Sequence, residues 1–234
     1  MNKTLIIGLD LSFSCTGITI SYLEDNVGKS IQFHRVIFDD NSNKTNKKYT
    51  PTPIKNVNTV TYRLPTNILI SDMVFDKKDI NNFEQCESTL KGLISSKKIG
   101  IIIAKALDDY KPDEAIFCIE NYIMPSFEGQ NQLKVVAGLI QLQGYVRELI
   151  IRFCLDLKIP FKLFTPTPKS NKLFFTKNGN ADKSEMLKIF LTEYQGNKLL
   201  PTITMESVHQ INDVIDAFSL CMYAYGKIIS NNIK

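Results

Sequence analysis

The order of strand-like and helix-like segments is what most limits the folds open to this chain of 234 residues. Three segments rich in β-branched residues come first, and helical and strand-like segments then alternate, which predicts right-handed crossover units. The predicted strands are residues 4–11, 17–23, 31–38, 115–120 and 159–166, and the predicted helices are about 82–110, 131–157, 183–196 and one around Asp213. Gly100 is a candidate break in the first helix. An α/β fold with a five-stranded mixed sheet flanked by helices is expected.

An insertion interrupts this pattern between the third strand and the first helix. Its beginning, NSNKTNKKYTPTP, has the Asn, Lys, Thr and Pro content of an exposed loop, and the following NVNTVTYRL could add a strand pair. We expect a single domain over residues 1–234, with the insertion at about residues 39–80.

Composition and cysteine usage argue against several protein classes. A hydrophobic fraction of 44% with 22% charged residues is ordinary for a globular protein, and no apolar run approaches the roughly 20 residues that span a bilayer. The first residues enter a strand pattern without a cleavage site, so a cytoplasmic location and no membrane partner are expected. The five cysteines are scattered without a CxxC pair, which argues against a disulfide framework and against a zinc site.

Positive charge is concentrated in two stretches, although the net charge is only +4. Residues 41–63 contain five basic residues and no acid, and residues 158–183 contain six lysines and one acid, Asp182. Such clusters suit a phosphate backbone, because nucleic-acid affinity is largely electrostatic. Lys-rich surface loops that only aid solubility are the alternative.

Two carboxylates, Asp213 and Asp216, interrupt the otherwise apolar stretch INDVIDAFSLCMYAYG. Residues three apart share one face of a helix, so the two like charges lie close together. If both lie in the first helical turn, the macrodipole explains them. If not, a divalent cation between them would allow both to stay ionised.

Two further acids end apolar strands. Asp10 ends LIIGLD, and Glu120 ends AIFCIE. If these two strands are neighbours, their acids emerge at one sheet edge, where the C-terminal helix can add Asp213 and Asp216. Four acids in one place do not stabilise a fold, whereas hard oxygen ligands in that number suit Mg²⁺ or Mn²⁺.

Four segments in this order resemble the signature segments of RuvC-type Holliday-junction resolvases, in particular phage-encoded members, within the ribonuclease H-like superfamily. The segments are GLDLSFSCTGITI, CIENYIM, NGNADKSEMLK and INDVIDAFSLCMYAY. The resemblance implies a ribonuclease H-like fold. It also implies that Asp10, Glu120, Asp213 and Asp216 bind two Mg²⁺ ions, which Mn²⁺ can replace, and that Lys183 is a catalytic lysine.

The resemblance further implies branched DNA as the partner and hydrolysis at two metals, leaving 5′ phosphates. A second basic residue of the family corresponds to Lys169 or Lys172, and with Lys177 these are the predicted DNA-binding lysines. The family's base-stacking aromatic has no aligned equivalent, since Ile123 stands at its place, so Tyr122 or Phe127 would have to serve. His209 could touch substrate or metal, although a capping or surface role fits it better.

A four-way junction has two-fold symmetry, so a homodimer with two identical sites is expected. The helix from about Asn131 is the predicted interface; ordinary core packing is the alternative for it.

Three other functions are open. A sugar kinase or actin-like ATPase would share GLDLSFSCTG, but the chain shows no second glycine-rich phosphate motif. Another ribonuclease H-like nuclease would cut branched DNA or RNA–DNA hybrids. A non-catalytic junction-binding protein would not need all four acids and Lys183.

Overall fold

A six-stranded mixed sheet runs through the protein, and the computed structural model describes residues 1–39, 57–63, 80–122, 130–200 and 208–232. The strands are β1 (Lys3–Asp10), β2 (Cys15–Glu24), β3 (Val27–Asp39), β4 (Val57–Arg63), β5 (Glu114–Ile119) and β6 (Phe161–Phe164). The described helices are α1 (Ile80–Tyr110), α2 (Gln130–Asp156), α3 (Pro168–Thr176), α4 (Lys183–Ile189) and α5 (Val208–Asn232), with a π-helix at Phe190–Tyr194 between the last two.

The sheet has the strand order β4-β3-β2-β1-β5-β6. The first three strands are antiparallel, and β5 and β6 then extend the sheet parallel to β1. The expected mixed α/β architecture is confirmed, but the expected count of five strands is wrong. The sixth strand, β4, belongs to the predicted insertion and pairs in parallel with β3. The rest of that insertion, residues 40–56 and 64–79, lies outside the described residues.

Alternate residues of each central strand face opposite layers. In β1, Leu5, Ile7 and Leu9 pack in one cluster with α1 and α2. Ile6 belongs to a different cluster, which includes Leu220 of α5. The sheet is therefore covered by α1 and α2 on one face and by α5 on the other, and Asp10 falls in the phase that faces α5.

The two long helices match their predicted bounds to within two residues, but α1 continues through Gly100. A Cβ at Gly100 would lie 3.0 Å from Cδ1 of Leu149 in α2. The glycine therefore serves the close packing of two helices, and no helix break occurs there.

Helix α3 was not predicted, because its sequence resembles a polar loop. Thr167 caps it by accepting from the Ser170 N–H, Pro168 occupies the first turn, and Lys177 ends it with a φ of 66°. The predicted cap of the next helix is present, since Asp182 Oδ1 accepts from the Glu185 N–H at 2.8 Å. The Glu185 carboxylate accepts from Asn178 instead of completing a capping box. Helix α4 then widens into the π-helix before the turn that contains Gly196.

Helix α5 begins at Val208, so Asp213 and Asp216 lie in its second and third turns. The explanation that placed both aspartates in the first turn is therefore wrong, because the macrodipole effect fades beyond that turn. His209 belongs to the first turn of α5, and its side chain lies outside the described part of the chain.

The remaining sequence expectations concern cysteines and membranes. The four cysteines whose side chains are described, Cys15, Cys118, Cys154 and Cys221, are free thiols in buried positions. Within the described ranges, no helix has both the length and the apolar character that crossing a bilayer requires.

Candidate metal centre

Four neighbouring strands place a row of residues on the face of the sheet that α5 covers. Asp10 pairs with Gly17 of β2, and Gly17 pairs with Arg35 of β3. On the other side of β1, Leu9 pairs with Ile119, so Glu120 follows beside Asp10. The row across the sheet is thus Glu120, Asp10, Gly17 and Arg35.

The glycine in this row lets α5 approach the sheet. A Cβ at Gly17 would collide with the main-chain carbonyl of Asp213, and a Cβ at Gly8 would collide with that of Ala217. Because the collision partners are backbone atoms, no rotamer change could relieve them. The two glycines therefore allow α5 to bring Asp213 and Asp216 over the end of β1.

A cavity of about 240 Å³ opens at this point, and we call it the carboxylate cavity. Three of the four predicted metal ligands and the predicted catalytic lysine line it. Its lining residues are Asp10, Leu11, Ser12, Ser14, Cys15, Tyr122, Leu139, Lys183, Asn212, Asp213 and Asp216. Glu120 is outside this lining, and its main-chain carbonyl accepts a hydrogen bond from Gln143 of α2.

Burial and like charges raise the pKa of three of the acids. Burial raises the pKa of Asp10 well above its ordinary value, and the carboxylates of Asp216, Glu120 and Asp213 raise it further. Burial, with Asp216, raises the pKa of Glu120 to about 7. Burial also raises the pKa of Asp216 to about 6, against the opposing effect of two lysines. The negative charges of these acids therefore oppose one another.

Asp213 has partners that the sequence did not suggest. The Arg35 Nε donates to Asp213 Oδ2 at 3.0 Å, and the Cys15 thiol donates to the same oxygen at 2.7 Å. Arg35 occupies the phase of IQFHRVIF that also holds the buried Phe33. A basic residue in the buried phase of a strand was the available signal, but its acidic partner is 178 residues away.

The lysines divide into two groups. Lys183, the first residue of α4, lowers the pKa of Asp10 and Asp216, and Lys172 of α3 lowers that of Glu120 and Asp216. Lys169 packs instead beside Gly179, and the Lys177 ammonium donates to the Phe174 carbonyl at the end of α3. Of the two alternatives for the second basic residue, Lys172 is thus the one whose charge acts on the acids.

Two aromatic residues were predicted to contact DNA bases, and the structure describes only one of them, Tyr122. The Tyr122 hydroxyl donates to the Leu11 carbonyl at 2.5 Å, which fixes this ring in the wall of the carboxylate cavity. Burial raises the pKa of this hydroxyl, and the charges of Asp10, Glu120 and Asp216 add to that effect. Phe127 lies outside the described residues.

The chemistry of the donor set fits a hard divalent cation. As they are placed, no three Asp, Glu, His or Cys side chains in the described segments form a ready metal-binding cluster. Carboxylates that repel one another stay further apart than carboxylates around a cation. The oxygen donors with raised pKa values are those that a divalent cation would stabilise as carboxylates, and Asp10, Glu120, Asp213 and Asp216 could hold it.

No protein-family model and no curated protein matches this chain. Among solved structures, it is similar to Thermus thermophilus RuvC in complex with a Holliday junction substrate, at 12% identity over 96% of this chain and 95% of that one, with a TM-score of 0.45. It is also similar to the fowlpox virus resolvase with its Holliday junction DNA, at 11% identity over 96% and 99% of the two chains, with a TM-score of 0.40. The yeast mitochondrial Holliday junction resolvase gives 11% identity over 95% and 80%, with a TM-score of 0.39.

Proposed function

We propose that this protein is a metal-dependent endonuclease that resolves four-way DNA junctions by paired, symmetric nicks leaving 5′ phosphates. The observation that carries the proposal is the meeting of Asp10, Asp213 and Asp216 in one cavity, with Glu120 beside Asp10. Such a collection of repelling acids has no value for folding, whereas divalent cations held by carboxylates are an effective means of hydrolysing a phosphodiester. The resemblance of the four sequence segments to RuvC-type resolvases supports the same function.

In this proposal, Asp10, Glu120, Asp213 and Asp216 hold two Mg²⁺ ions, for which Mn²⁺ can substitute. Bound divalent cations supply Lewis acidity, which activates water and stabilises charge on the leaving oxygen. The protein's own contribution is to present deprotonated oxygens from three elements, the ends of β1 and β5 and the second and third turns of α5. Glu120 and Asp216 must lose their protons to do so, and cation binding would drive that loss.

Two lysines are proposed to bind the scissile phosphate. Lys183 is exposed at the edge of the carboxylate cavity, and Lys172 acts on the same acids from α3. Each would hold a phosphate oxygen as a point charge while the acids hold the cations. We propose that Lys169 and Lys177 contact the DNA backbone further out, and that Tyr122 and Phe127 contact bases. The protein would act as a single domain in the cytoplasm, that of a host cell if a phage encodes it.

A homodimer formed through the outer face of α2 completes the proposal. The inner face of α2 packs in the core through Leu142, Val146 and Ile150. Its outer face exposes Ile151 and Leu155, the latter at 65% exposure, beside a groove of about 480 Å³. A two-fold pair of these faces would place one carboxylate cavity at each of two opposed strands of a junction.

The first test compares cleavage of a mobile four-way junction by the wild type, Asp10→Asn and Asp109→Asn. Asp109 is the matched control, because it is an exposed acid on α1 that pairs only with Lys105 among described partners. In Mg²⁺, paired nicks that DNA ligase can reseal are expected from the wild type and from Asp109→Asn, but not from Asp10→Asn.

The same gels distinguish the other nuclease functions. Flaps and RNA–DNA hybrids run beside the junction would be cut preferentially by a different ribonuclease H-like nuclease. A junction that is bound but uncut in both Mg²⁺ and Mn²⁺ would contradict catalysis and leave a non-catalytic junction-binding protein.

The dimer has its own test. Leu155→Glu places a charge on the outer face of α2, and Val27→Glu does the same at an exposed position in the β2–β3 hairpin. By light scattering after gel filtration, only Leu155→Glu is expected to be a monomer, and its nicks on a junction should be unpaired. If Leu155→Glu is still a dimer, the interface lies on a different surface of the protein.

A further inference from the structure

Arg35 is a buried arginine that the proposed chemistry does not yet use. Its side chain lies on β3, is 1% exposed and is among the largest fully buried side chains of the described residues. It cannot reach a phosphate or any other substrate group in solvent. Whatever it contributes to the carboxylate cavity must therefore pass through a neighbouring side chain.

That neighbour is Asp213. The Arg35 Nε and the Cys15 Sγ both donate to Oδ2 of Asp213, at 3.0 Å and 2.7 Å. Within the described residues, both donors meet at this one oxygen. Asp213 itself lines the carboxylate cavity with 14% of its side chain exposed. The carboxylate therefore has one oxygen held by two protein donors, in a side chain that also lines the cavity.

Fold stability does not account for this arrangement. Burying a guanidinium costs free energy that a single ion pair barely recovers, and an apolar side chain of similar size would serve the core as well. In addition, the Arg35 Nη1 is buried without a hydrogen-bond partner in the described part of the protein. An arginine that is expensive to bury and incompletely paired indicates a functional reason for its one good contact.

The backbone arrangement also places Arg35 next to Asp213. Gly17 separates Arg35 from Asp10 in the row across the sheet, and the main chain of Asp213 occupies the space that a side chain at position 17 would fill. Asp213 thus lies between a buried cation on β3 and the acids at the end of β1. A positive charge on that side offsets part of the repulsion among the acids before any cation arrives.

We propose that Arg35 and Cys15 are positioning residues that hold Asp213 as a one-oxygen metal ligand. They retain Oδ2, so that Oδ1 would be the oxygen left for a cation. This inference rests on the proposed function for the presence of the cation, but it assigns roles to two residues outside the proposed ligand set. Partners of this kind commonly change metal affinity or activity by about 10- to 100-fold when they are removed.

The test measures Mn²⁺ binding by calorimetry without DNA, and then single-turnover cleavage and junction affinity. The variants are Arg35→Met, Arg35→Lys, Cys15→Ala and Cys15→Ser, with Lys105→Met as an exposed ion-pair control. Arg35→Met is expected to weaken Mn²⁺ binding and slow cleavage by about 10- to 100-fold, with junction affinity within about twofold. Cys15→Ala should have a smaller effect of the same kind, and Cys15→Ser, which keeps a donor, should restore most of it.

A double-mutant cycle separates positioning from a general structural role. In an Asp213→Asn background, Arg35→Met should cause no further loss of Mn²⁺ affinity, because the carboxylate it positions is already gone. Additive losses would overturn the proposal, and so would wild-type Mn²⁺ binding by a folded Arg35→Met protein. If Arg35→Met does not fold, wild-type Mn²⁺ binding by Cys15→Ala, which removes one of the two donors to Asp213, would overturn the shared positioning role.

The two proposals can fail separately. Mn²⁺ binding that depends on Asp213 and Arg35, without cleavage of any branched DNA, would support the positioning role and contradict the nuclease. Junction cleavage that is unchanged by substitution of Arg35 and Cys15 would support the nuclease and contradict the positioning role.

Discussion

The two faces of the sheet are built from the same strands but differ in what they bury. The face covered by α1 and α2 forms one continuous apolar cluster, in which Leu5, Ile7 and Leu9 of β1 meet Ile103 and Val146 of the helices. The face covered by α5 is divided into two apolar clusters and carries the ionisable row that includes Asp10 and Arg35.

This difference shows how one fold separates stability from chemistry. Alternation along β1 sends every second side chain to each face, so a single strand can supply both an apolar core and a carboxylate. Repelling acids raise the free energy of the folded chain, and the apolar face can offset that cost without coming near the site. Substitution of the acids should therefore reduce activity without reducing stability, and substitution of the apolar face should reduce stability without reducing activity.

The largest expected effect is the loss of cleavage in Asp216→Asn. Removal of one of the four acids should slow the reaction by about 10³-fold or more, which corresponds to about 4 kcal/mol of barrier. The folded state should become no less stable at pH 8, because a repelling charge is gone. Single-turnover cleavage and urea unfolding measure the two effects. A matching loss of stability would show that Asp216 is a structural residue.

The next largest effect is expected from Gly17→Ala, which tests how closely α5 packs against the sheet. The new Cβ would strike the Asp213 carbonyl, so a loss of about 3 kcal/mol in the free energy of unfolding is expected, together with loss of cleavage. Gly196→Ala is the control, because a Cβ there meets nothing within 4 Å. If urea midpoints of the two variants agree, the close approach of α5 is not as described.

Ile103→Val tests the apolar face. Removing one buried methylene from α1 should cost about 1 kcal/mol of unfolding free energy. The cleavage rate of the folded enzyme should stay within about twofold of wild type, since none of the described residues that line the carboxylate cavity lies on α1. A larger rate loss, measured under strongly native conditions, would show that the two faces are coupled.

The smallest effect is a pH dependence of stability in the presence of EDTA. The pKa values of Glu120 and Asp216, about 7 and about 6, lie above the ordinary values of 4.5 and 3.8. Between about pH 4 and 7 the folded chain therefore holds protons that the unfolded chain has released, so the free energy of unfolding falls as pH rises.

Glu120→Gln should reduce this slope and raise the melting temperature at pH 8 relative to wild type, by about 2–4 °C for each kcal/mol recovered. Asp109→Asn, an exposed acid, should leave the slope unchanged. Melting curves at pH 5 and pH 8 give the answer, and identical slopes in wild type and Glu120→Gln would contradict the raised pKa of Glu120.

Much of the fold and of the candidate site could be predicted from local sequence patterns, because strand and helix periods depend only on nearby residues. The positions of the central strands and long helices, the cap at Asp182, and the choice of Asp10, Glu120, Asp213 and Asp216 followed from such patterns or from the resemblance they carry. Helix α3 could have been found from Thr167 and Pro168, which together form a helix-start signal.

Contacts and strand pairings between distant parts of the chain became visible only in the tertiary structure. The sixth strand depends on pairing between Val57–Arg63 and β3, and the continuity of α1 through Gly100 depends on Leu149 of another helix. Arg35 meets Asp213 only because Gly17, its neighbour in the sheet, admits the backbone of α5. The sequence by itself determined the central strands, the long helices and the candidate acids, since these follow from local patterns. Only the folded chain decided which charges meet, because contact between residues far apart in sequence is set by how the layers pack.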